Sequence, residues 1–168
     1  AAGFASLING GYYYQPHLVK RIETNSGEIV STIGSTLIRQ TITSETSETL
    51  RQYMYHTVSE GTAKKCAVEG YEIGGKTGTG EKWAYDEEGK NLGYRSKTDY
   101  LISFMGFAPI DDPEFLIYVV IDNPKVEAVG SATPACILSH DILVDILPYL
   151  NVFPNYSENI VPNVPPAA

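Results

Sequence analysis

The chain has little positive charge. Its 12 Lys and Arg residues are outnumbered by 20 Asp and Glu residues, which gives a formal net charge of −8, and no basic run or stripe stands out. A surface that binds nucleic acid neutralises phosphates with clustered Lys and Arg side chains. We therefore predict that no nucleic acid is a partner of this chain.

Residues that bind metals are also few and scattered. The two cysteines are Cys66 and Cys136, and the three histidines are His17, His56 and His140. None of them forms the close Cys or His pair that metal sites usually contain. We predict no metal site, and we expect both cysteines to act as small buried hydrophobic residues.

Long apolar runs are absent. No stretch approaches the roughly 18 to 20 apolar residues that a membrane span requires, and no signal peptide opens the chain. The 168 residues, 43% of them hydrophobic, are typical of one globular domain. Because the chain begins at Ala1 inside an apolar helical stretch, we expect it to be a piece of a longer protein, whose targeting these residues do not reveal.

The spacing of apolar residues predicts three helices. The first occupies residues 1–8 and ends at a turn of one Asn and two Gly residues. The second begins with Ser44 as its N-cap and ends at Gly61, after about four turns. The third starts at Thr133 and ends at the residue before Pro148, because proline interrupts helical hydrogen bonding.

Runs of β-prone residues predict an antiparallel sheet. Residues 18–22 and 28–33 form a short hairpin, and residues 100–107 and 115–121 form a longer pair joined by a proline-rich turn. The longer strands are apolar throughout, which is typical of strands buried on both faces. Residues 81–98 are polar and predict an exposed loop or a loosely paired hairpin. The predicted fold class is α/β of the α+β kind, an antiparallel sheet flanked by helices.

Residues 74–80 read Gly-Gly-Lys-Thr-Gly-Thr-Gly. No other stretch brings together so many residues that could bind a ligand or take part in catalysis. Gly70, Gly75, Lys76 and Thr77 formally match the phosphate-loop pattern of nucleotide-binding proteins. A phosphate loop must open directly into a helix, however, and here Gly-Thr-Gly follows where the helix should start. A nucleotide-binding protein is therefore only a remote alternative.

The same residues fit an extended strand, predicted over residues 71–82, whose glycines let another peptide approach the backbone closely. This segment resembles the K-T-G strand of penicillin-binding transpeptidases and serine β-lactamases. Further landmarks follow the order found in class B penicillin-binding proteins. They are Asn9-Gly10-Gly11 with Pro16, Leu18 and Val19; Gly61-Thr62-Ala63; Gly74 to Lys82; Gly106-Phe107-Ala108-Pro109; Asp111-Asp112-Pro113; and Val119 to Asp122.

On this resemblance, residues 1–150 are identified as the C-terminal part of a class B transpeptidase domain, which is a partial domain of the β-lactamase/transpeptidase-like fold. Residues 151–168 form a proline-rich tail or linker. Within it, Ile160 to Val164 resemble the opening strand of the small penicillin-binding and kinase-associated repeats that follow some class B domains, so the tail could lead to a further module.

The resemblance implies a peptidoglycan D,D-transpeptidase. In that reaction a serine attacks the D-Ala-D-Ala bond of a stem peptide, D-alanine leaves, and an amine of a neighbouring stem resolves the ester into a cross-link. β-Lactams mimic the donor and acylate the serine. The implied partners are peptidoglycan stem peptides and β-lactams, with no cofactor. The parent would lie at the extracytoplasmic face of the bacterial cell membrane, anchored by a segment not present here.

The resemblance also implies roles for four residues. Lys76 and Thr77 would bind the terminal carboxylate of the donor through charge-assisted hydrogen bonds. Gly78 would permit close approach of the substrate. The backbone N–H of Thr79 would stabilise the oxyanion that forms on the attacked carbonyl.

The chain departs from the family pattern at the nucleophile. No serine has a lysine three positions later, so the S-x-x-K pair of nucleophile and general base is absent. Ser157-Glu158-Asn159 spells the S-x-N motif, but it follows the K-T-G strand instead of preceding it, and we interpret it as coincidence. We expect both motifs in a missing N-terminal half of the domain, which would be a partner of this chain.

Three consequences follow from the missing half. The chain alone should be inactive and should form no penicillin adduct. Its sheet should leave apolar surface open to water, which favours self-association. A penicillin-sensing domain or a serine β-lactamase-like domain stays open as an alternative, because only the preceding sequence would separate these classes from a transpeptidase.

Overall fold

A computed structural model describes residues 1–126 and 130–155 of the chain. The helices are α1 (Ala2–Ile8), α2 (Ser44–Ser59) and α3 (Thr133–Tyr149), with a 3-10 turn at Lys64–Cys66. The strands are β1 (Tyr12–Tyr14), β2 (Arg21–Glu23), β3 (Ile29–Thr32), β4 (Leu37–Gln40), β5 (Gly74–Tyr85), β6 (Asn91–Ala108) and β7 (Phe115–Asp122).

Within the described residues, the main sheet has three antiparallel strands in the order β5-β6-β7. The predicted pairing of the two apolar strands is confirmed, with Phe104 opposite Val119. The polar stretch after Lys82 forms a hairpin, because β5 and β6 continue to pair as far as Tyr85 and Asn91, with irregular register. This arrangement makes β5 and β7 the outer strands of the sheet.

One face of the sheet carries the main core. Ile102 and Phe104 of β6 are fully buried, and Leu143 and Leu147 of α3 belong to the same cluster. Cys66 and Cys136 are buried in this cluster too, which confirms the prediction for the cysteines. Apolar residues of α3 and of the 3-10 turn therefore close this side of the sheet.

The other face is covered only at one end. There Phe107 is fully buried in a second cluster with Ile8 of α1 and Ile110. Further along, Tyr118 and Val120 of β7 are 48% and 42% exposed, because no element among residues 1–126 and 130–155 covers them. The prediction that both apolar strands are buried on two faces is therefore wrong for this chain.

Several predicted element ends are also wrong. The N-cap of α2 is Thr43, not Ser44, because the Thr43 side chain accepts the hydrogen bond from the Thr46 N–H. Helix α3 continues through Pro148 to Tyr149. Pro148 has no N–H to donate to the carbonyl four residues earlier, and the helix ends one residue after it. The strand predicted over residues 71–82 runs instead from Gly74 to Tyr85.

Residues 12–40 form two small antiparallel pairs beside the main sheet. The predicted hairpin is confirmed in the pairing of β2 with β3, although both strands are shorter than expected. Strand β4 was not predicted, and it pairs with β1. Both pairs are largely exposed to solvent.

The tail is described only over residues 151–155. Val152 is buried in the main core, and the Asn155 backbone N–H donates to the Gly70 carbonyl at 2.6 Å. The two motifs predicted further along, at residues 157–159 and 160–164, lie outside the described residues. None of the helices in the described ranges is both long enough and apolar enough to cross a membrane.

Candidate active site

The glycine-rich segment lies on the free edge of the main sheet. Strand β5 pairs with β6 on one side, and no other strand of the described chain pairs with its second side. The strand runs without interruption through Gly78, Thr79 and Gly80. A phosphate loop would begin a helix at this point, so the nucleotide-binding alternative does not fit.

Glycines allow β5 to lie flat against aromatic side chains of the core. The Phe104 ring occupies the space that a side chain on Gly75 would need, and the Phe107 ring does the same at Gly74. At Gly78 an added Cβ would lie 2.6 Å from the Ser103 Oγ. Larger residues at Gly74 or Gly75 would overlap these rings and push β5 away from β6.

Lys76 and Thr77 bring a cation and a hydroxyl to the free edge. The exposed Lys76 ammonium donates to the Thr77 carbonyl at 2.8 Å and lies 3.5 Å from the Thr77 Oγ1. The Thr77 side chain is half-buried. A negatively charged group beside this edge could therefore receive both a charge-assisted hydrogen bond and a directional hydroxyl donor.

The four predicted site residues are consecutive on β5, so the structure brings them together. Gly78 is half-buried and Thr79 is exposed. One contact was missed at the sequence level: the Thr62 Oγ1 lies 3.2 Å from the Thr77 Oγ1. Thr62 belongs to the Gly61-Thr62-Ala63 landmark, which is the signal in the sequence that marks this position.

Beyond the site, the β5–β6 hairpin carries an exposed aromatic residue. The Arg95 guanidinium lies 3.9 Å from the centre of the Trp83 ring, and Trp83 is 42% exposed. The neighbouring Lys82 reaches across β6 to form a 2.7 Å ion pair with Asp122 of β7. No cluster of three or more potential metal ligands occurs among the residues that the structure describes.

A family model described as the penicillin-binding protein transpeptidase domain matches residues 1–142. The chain belongs to this family. The penicillin-binding relatives and structures support its class B branch, as the landmarks indicated. Stage V sporulation protein D of Bacillus subtilis is 36% identical over 158 residues, which cover 94% of this chain and 23% of that protein. Penicillin-binding protein PbpB of Mycolicibacterium smegmatis is 32% identical over 160 residues, which cover 90% of this chain and 24% of that protein.

Solved penicillin-binding proteins share the fold. Penicillin-binding protein 3 of Mycobacterium tuberculosis, crystallised with ampicillin, superposes with a TM-score of 0.77 at 24% identity, over 95% of this chain and 36% of that one. The D,D-transpeptidase domain of a peptidoglycan glycosyltransferase from Eggerthella lenta gives a TM-score of 0.61 at 27% identity, over 84% of this chain and 30% of that one. The predicted transpeptidase-like fold is confirmed. The chain spans about a quarter of the length of the curated relatives it matches.

Proposed function

We propose that this chain forms the substrate-binding wall of a peptidoglycan D,D-transpeptidase that acts through a serine acyl-enzyme and is acylated by β-lactams. The observation that carries the proposal is the placement of Lys76, Thr77, Gly78 and Thr79 in sequence on a free strand edge. An extended peptide can add to such an edge through main-chain hydrogen bonds. A donor stem peptide that ends in a carboxylate has the shape and the charge for this edge.

Lys76 and Thr77 bind the terminal carboxylate of the donor. Their side-chain donors lie 3.5 Å apart, so one carboxylate can accept from both. A hydrogen bond between a charged donor and a carboxylate contributes about 1.5 to 3 kcal/mol. The lysine supplies charge, and the threonine hydroxyl supplies direction.

Thr79 donates its backbone N–H to the developing oxyanion. The Lys76 ammonium reaches the Thr77 carbonyl from the solvent side, which indicates that the Thr77 carbonyl points to the free edge. Backbone polar groups two residues apart in a strand point to the same edge. The Thr79 N–H then points outward as well, and Gly78 between them leaves room for the substrate.

The nucleophile and the general base come from chain outside these 168 residues, since no S-x-x-K pair occurs in the sequence. The parent protein acts at the extracytoplasmic face of the membrane, where peptidoglycan is cross-linked. The chain alone has no acylation activity.

Intact-mass spectrometry with ampicillin tests this proposal. The parent protein should gain one ampicillin on a serine outside residues 1–168, and the isolated chain should gain none. A stable adduct on the isolated chain would contradict the proposed division of roles.

A pair of lysine variants in the parent tests the proposed site. Lys76→Ala should lower the acylation rate by at least about tenfold, because a charge-assisted hydrogen bond to the carboxylate is lost. Lys82→Ala is the matched control, since Lys82 lies on the same strand and is paired with Asp122. Equal effects of the two variants would argue against carboxylate binding by Lys76.

A further inference from the structure

The hydroxyl of Thr62 meets the hydroxyl of Thr77 at the free edge of β5. Thr62 lies just beyond α2, and its Oγ1 is 3.2 Å from the Thr77 Oγ1. Both atoms can donate and accept. The contact joins the turn after α2 to a residue of the proposed carboxylate site.

The turn that carries Thr62 is fixed by its backbone. The Gly61 N–H donates to the His56 carbonyl at 3.0 Å, and the Ala63 N–H donates to the Thr57 carbonyl at 3.0 Å. Ala63 is fully buried in the main core. At Gly61 an added Cβ would lie 2.9 Å from the Thr57 carbonyl oxygen, so a small residue is needed there. Thr62 is therefore held between two anchored neighbours.

The number of hydrogen bonds that the Thr77 hydroxyl can make decides which of the two hydroxyls should donate in this contact. A threonine hydroxyl has one proton and two lone pairs. If the Thr77 proton points to Thr62, Thr77 cannot donate that proton to a carboxylate at the edge. If Thr62 donates to Thr77 instead, the Thr77 proton is free to point outward, and the chain of two hydroxyls strengthens the outer hydrogen bond.

We propose that Thr62 is a positioning residue for carboxylate recognition: it donates to the Thr77 Oγ1 and so directs the Thr77 proton to the substrate carboxylate. This inference rests on the proposed role of Thr77 in binding the donor. Thr62 itself does not touch the substrate. The prediction is specific, because loss of the Thr62 hydroxyl should matter only for a ligand that uses the Thr77 proton.

The test uses the parent protein and two thioester analogues of the stem-peptide donor, one ending in a carboxylate and one in a carboxamide. Thr62→Val removes the hydroxyl while keeping the shape, and it should lower kcat/KM for the carboxylate donor by about tenfold, the cost of one hydrogen bond to a charged group. The carboxamide donor should change by less than about twofold, since a neutral hydrogen bond is weaker. Thr62→Ser keeps the hydroxyl and should therefore keep kcat/KM for the carboxylate donor close to that of the unchanged protein.

Two controls make the outcome decisive. Thr49→Val removes an exposed hydroxyl that bonds to the Glu45 carbonyl within α2, away from the turn that carries Thr62, and it should leave both rates unchanged. In a Thr77→Val background, Thr62→Val should have no further effect on the carboxylate donor. Equal losses with both donors, or additive losses in the double variant, would overturn the inference. If Thr77→Val leaves kcat/KM for the carboxylate donor unchanged, Thr77 does not bind the carboxylate. That result would contradict both the proposed site and this inference.

Discussion

Two glycines of the same strand meet very different surroundings. Gly75 lies against the ring of Phe104, which is fully buried, and an added methyl group would overlap that ring. Gly80 lies five residues further along, and an added Cβ there would meet only the Leu101 carbonyl oxygen at 3.7 Å. The first glycine is required by core packing, and the second is open to a side chain.

A pair of glycine variants tests this difference. Gly75→Ala should destabilise the fold by about 1 to 3 kcal/mol, because a methyl group is forced into a packed core. Gly80→Ala should change the free energy of unfolding by less than about 1 kcal/mol, since the contact is an ordinary one. Urea unfolding followed by circular dichroism measures both. Equal stability of the two variants would show that β5 can move away from Phe104.

The two thiols share a buried environment. A hydrogen bond with Cys136 raises the pKa of the Cys66 thiol, and burial raises that pKa further. The same hydrogen bond lowers the pKa of the Cys136 thiol. Both side chains are buried, however, so a reagent in solution cannot reach either sulfur in the folded chain. We expect no reaction with Ellman's reagent in the native state and two reactive thiols for each chain after unfolding. Fast labelling of the folded chain would contradict this expectation.

The start of α2 shows what a sequence can and cannot predict about an element. The helix itself follows from the spacing of its apolar residues, but Thr43 and Ser44 are both good N-cap residues. The choice depends on a local hydrogen bond, in which Thr43 accepts from the Thr46 N–H at 3.1 Å. The end of α3 is a similar case, because the sequence predicts that the helix ends before Pro148, whereas the helix continues through Pro148 to Tyr149.

The corrected N-cap can be measured directly. Thr43→Ala should reduce the free energy of unfolding by about 1 kcal/mol, because the first turn loses its side-chain acceptor. Ser44→Ala is the control, and it should cost less than about 0.5 kcal/mol, since Ser44 makes only a 3.4 Å contact with the Gly10 carbonyl. If Ser44→Ala loses more stability than Thr43→Ala in a urea titration, Ser44 is the N-cap and the correction is wrong.

At the scale of the whole molecule, the sheet has more apolar surface than residues 1–126 and 130–155 cover. The alternation of β7 puts Tyr118 and Val120 on the face that carries Lys76, away from α3. The sequence predicted burial on both faces because both faces are apolar. Burial depends on which elements pack there, however, and the composition of a strand does not carry that information.

Self-association follows from this surface as a prediction. Exposed apolar patches and unpaired strand edges both favour contacts between copies. We expect the isolated chain to form dimers or larger species at high micromolar concentration, as measured by sedimentation velocity. A double change of Tyr118 and Val120 to Lys should reduce this association. Tyr149→Lys, at an exposed position near the end of α3, should not. A monomer at all concentrations would contradict the prediction.

The residues of the candidate site stand out in the sequence more clearly than the residues around them. Lys76 to Thr79 could be selected from sequence because glycine, lysine and threonine are chemically distinctive in that order. Thr62 could not be given a role, because its partner lies 15 residues away and meets it only after α2 has packed beside β5. Contacts between side chains of separate elements depend on packing, and local sequence does not encode them.

The position of Trp83 gives the chain a built-in optical reporter. It is the single tryptophan of the sequence, so all indole fluorescence comes from one point on the β5–β6 hairpin. The ring is partly open to water and lies beneath a guanidinium group, and both surroundings influence its emission. A peptide that binds along β5 and shifts this hairpin would change the emission spectrum. Binding to the isolated chain can therefore be followed without any attached dye.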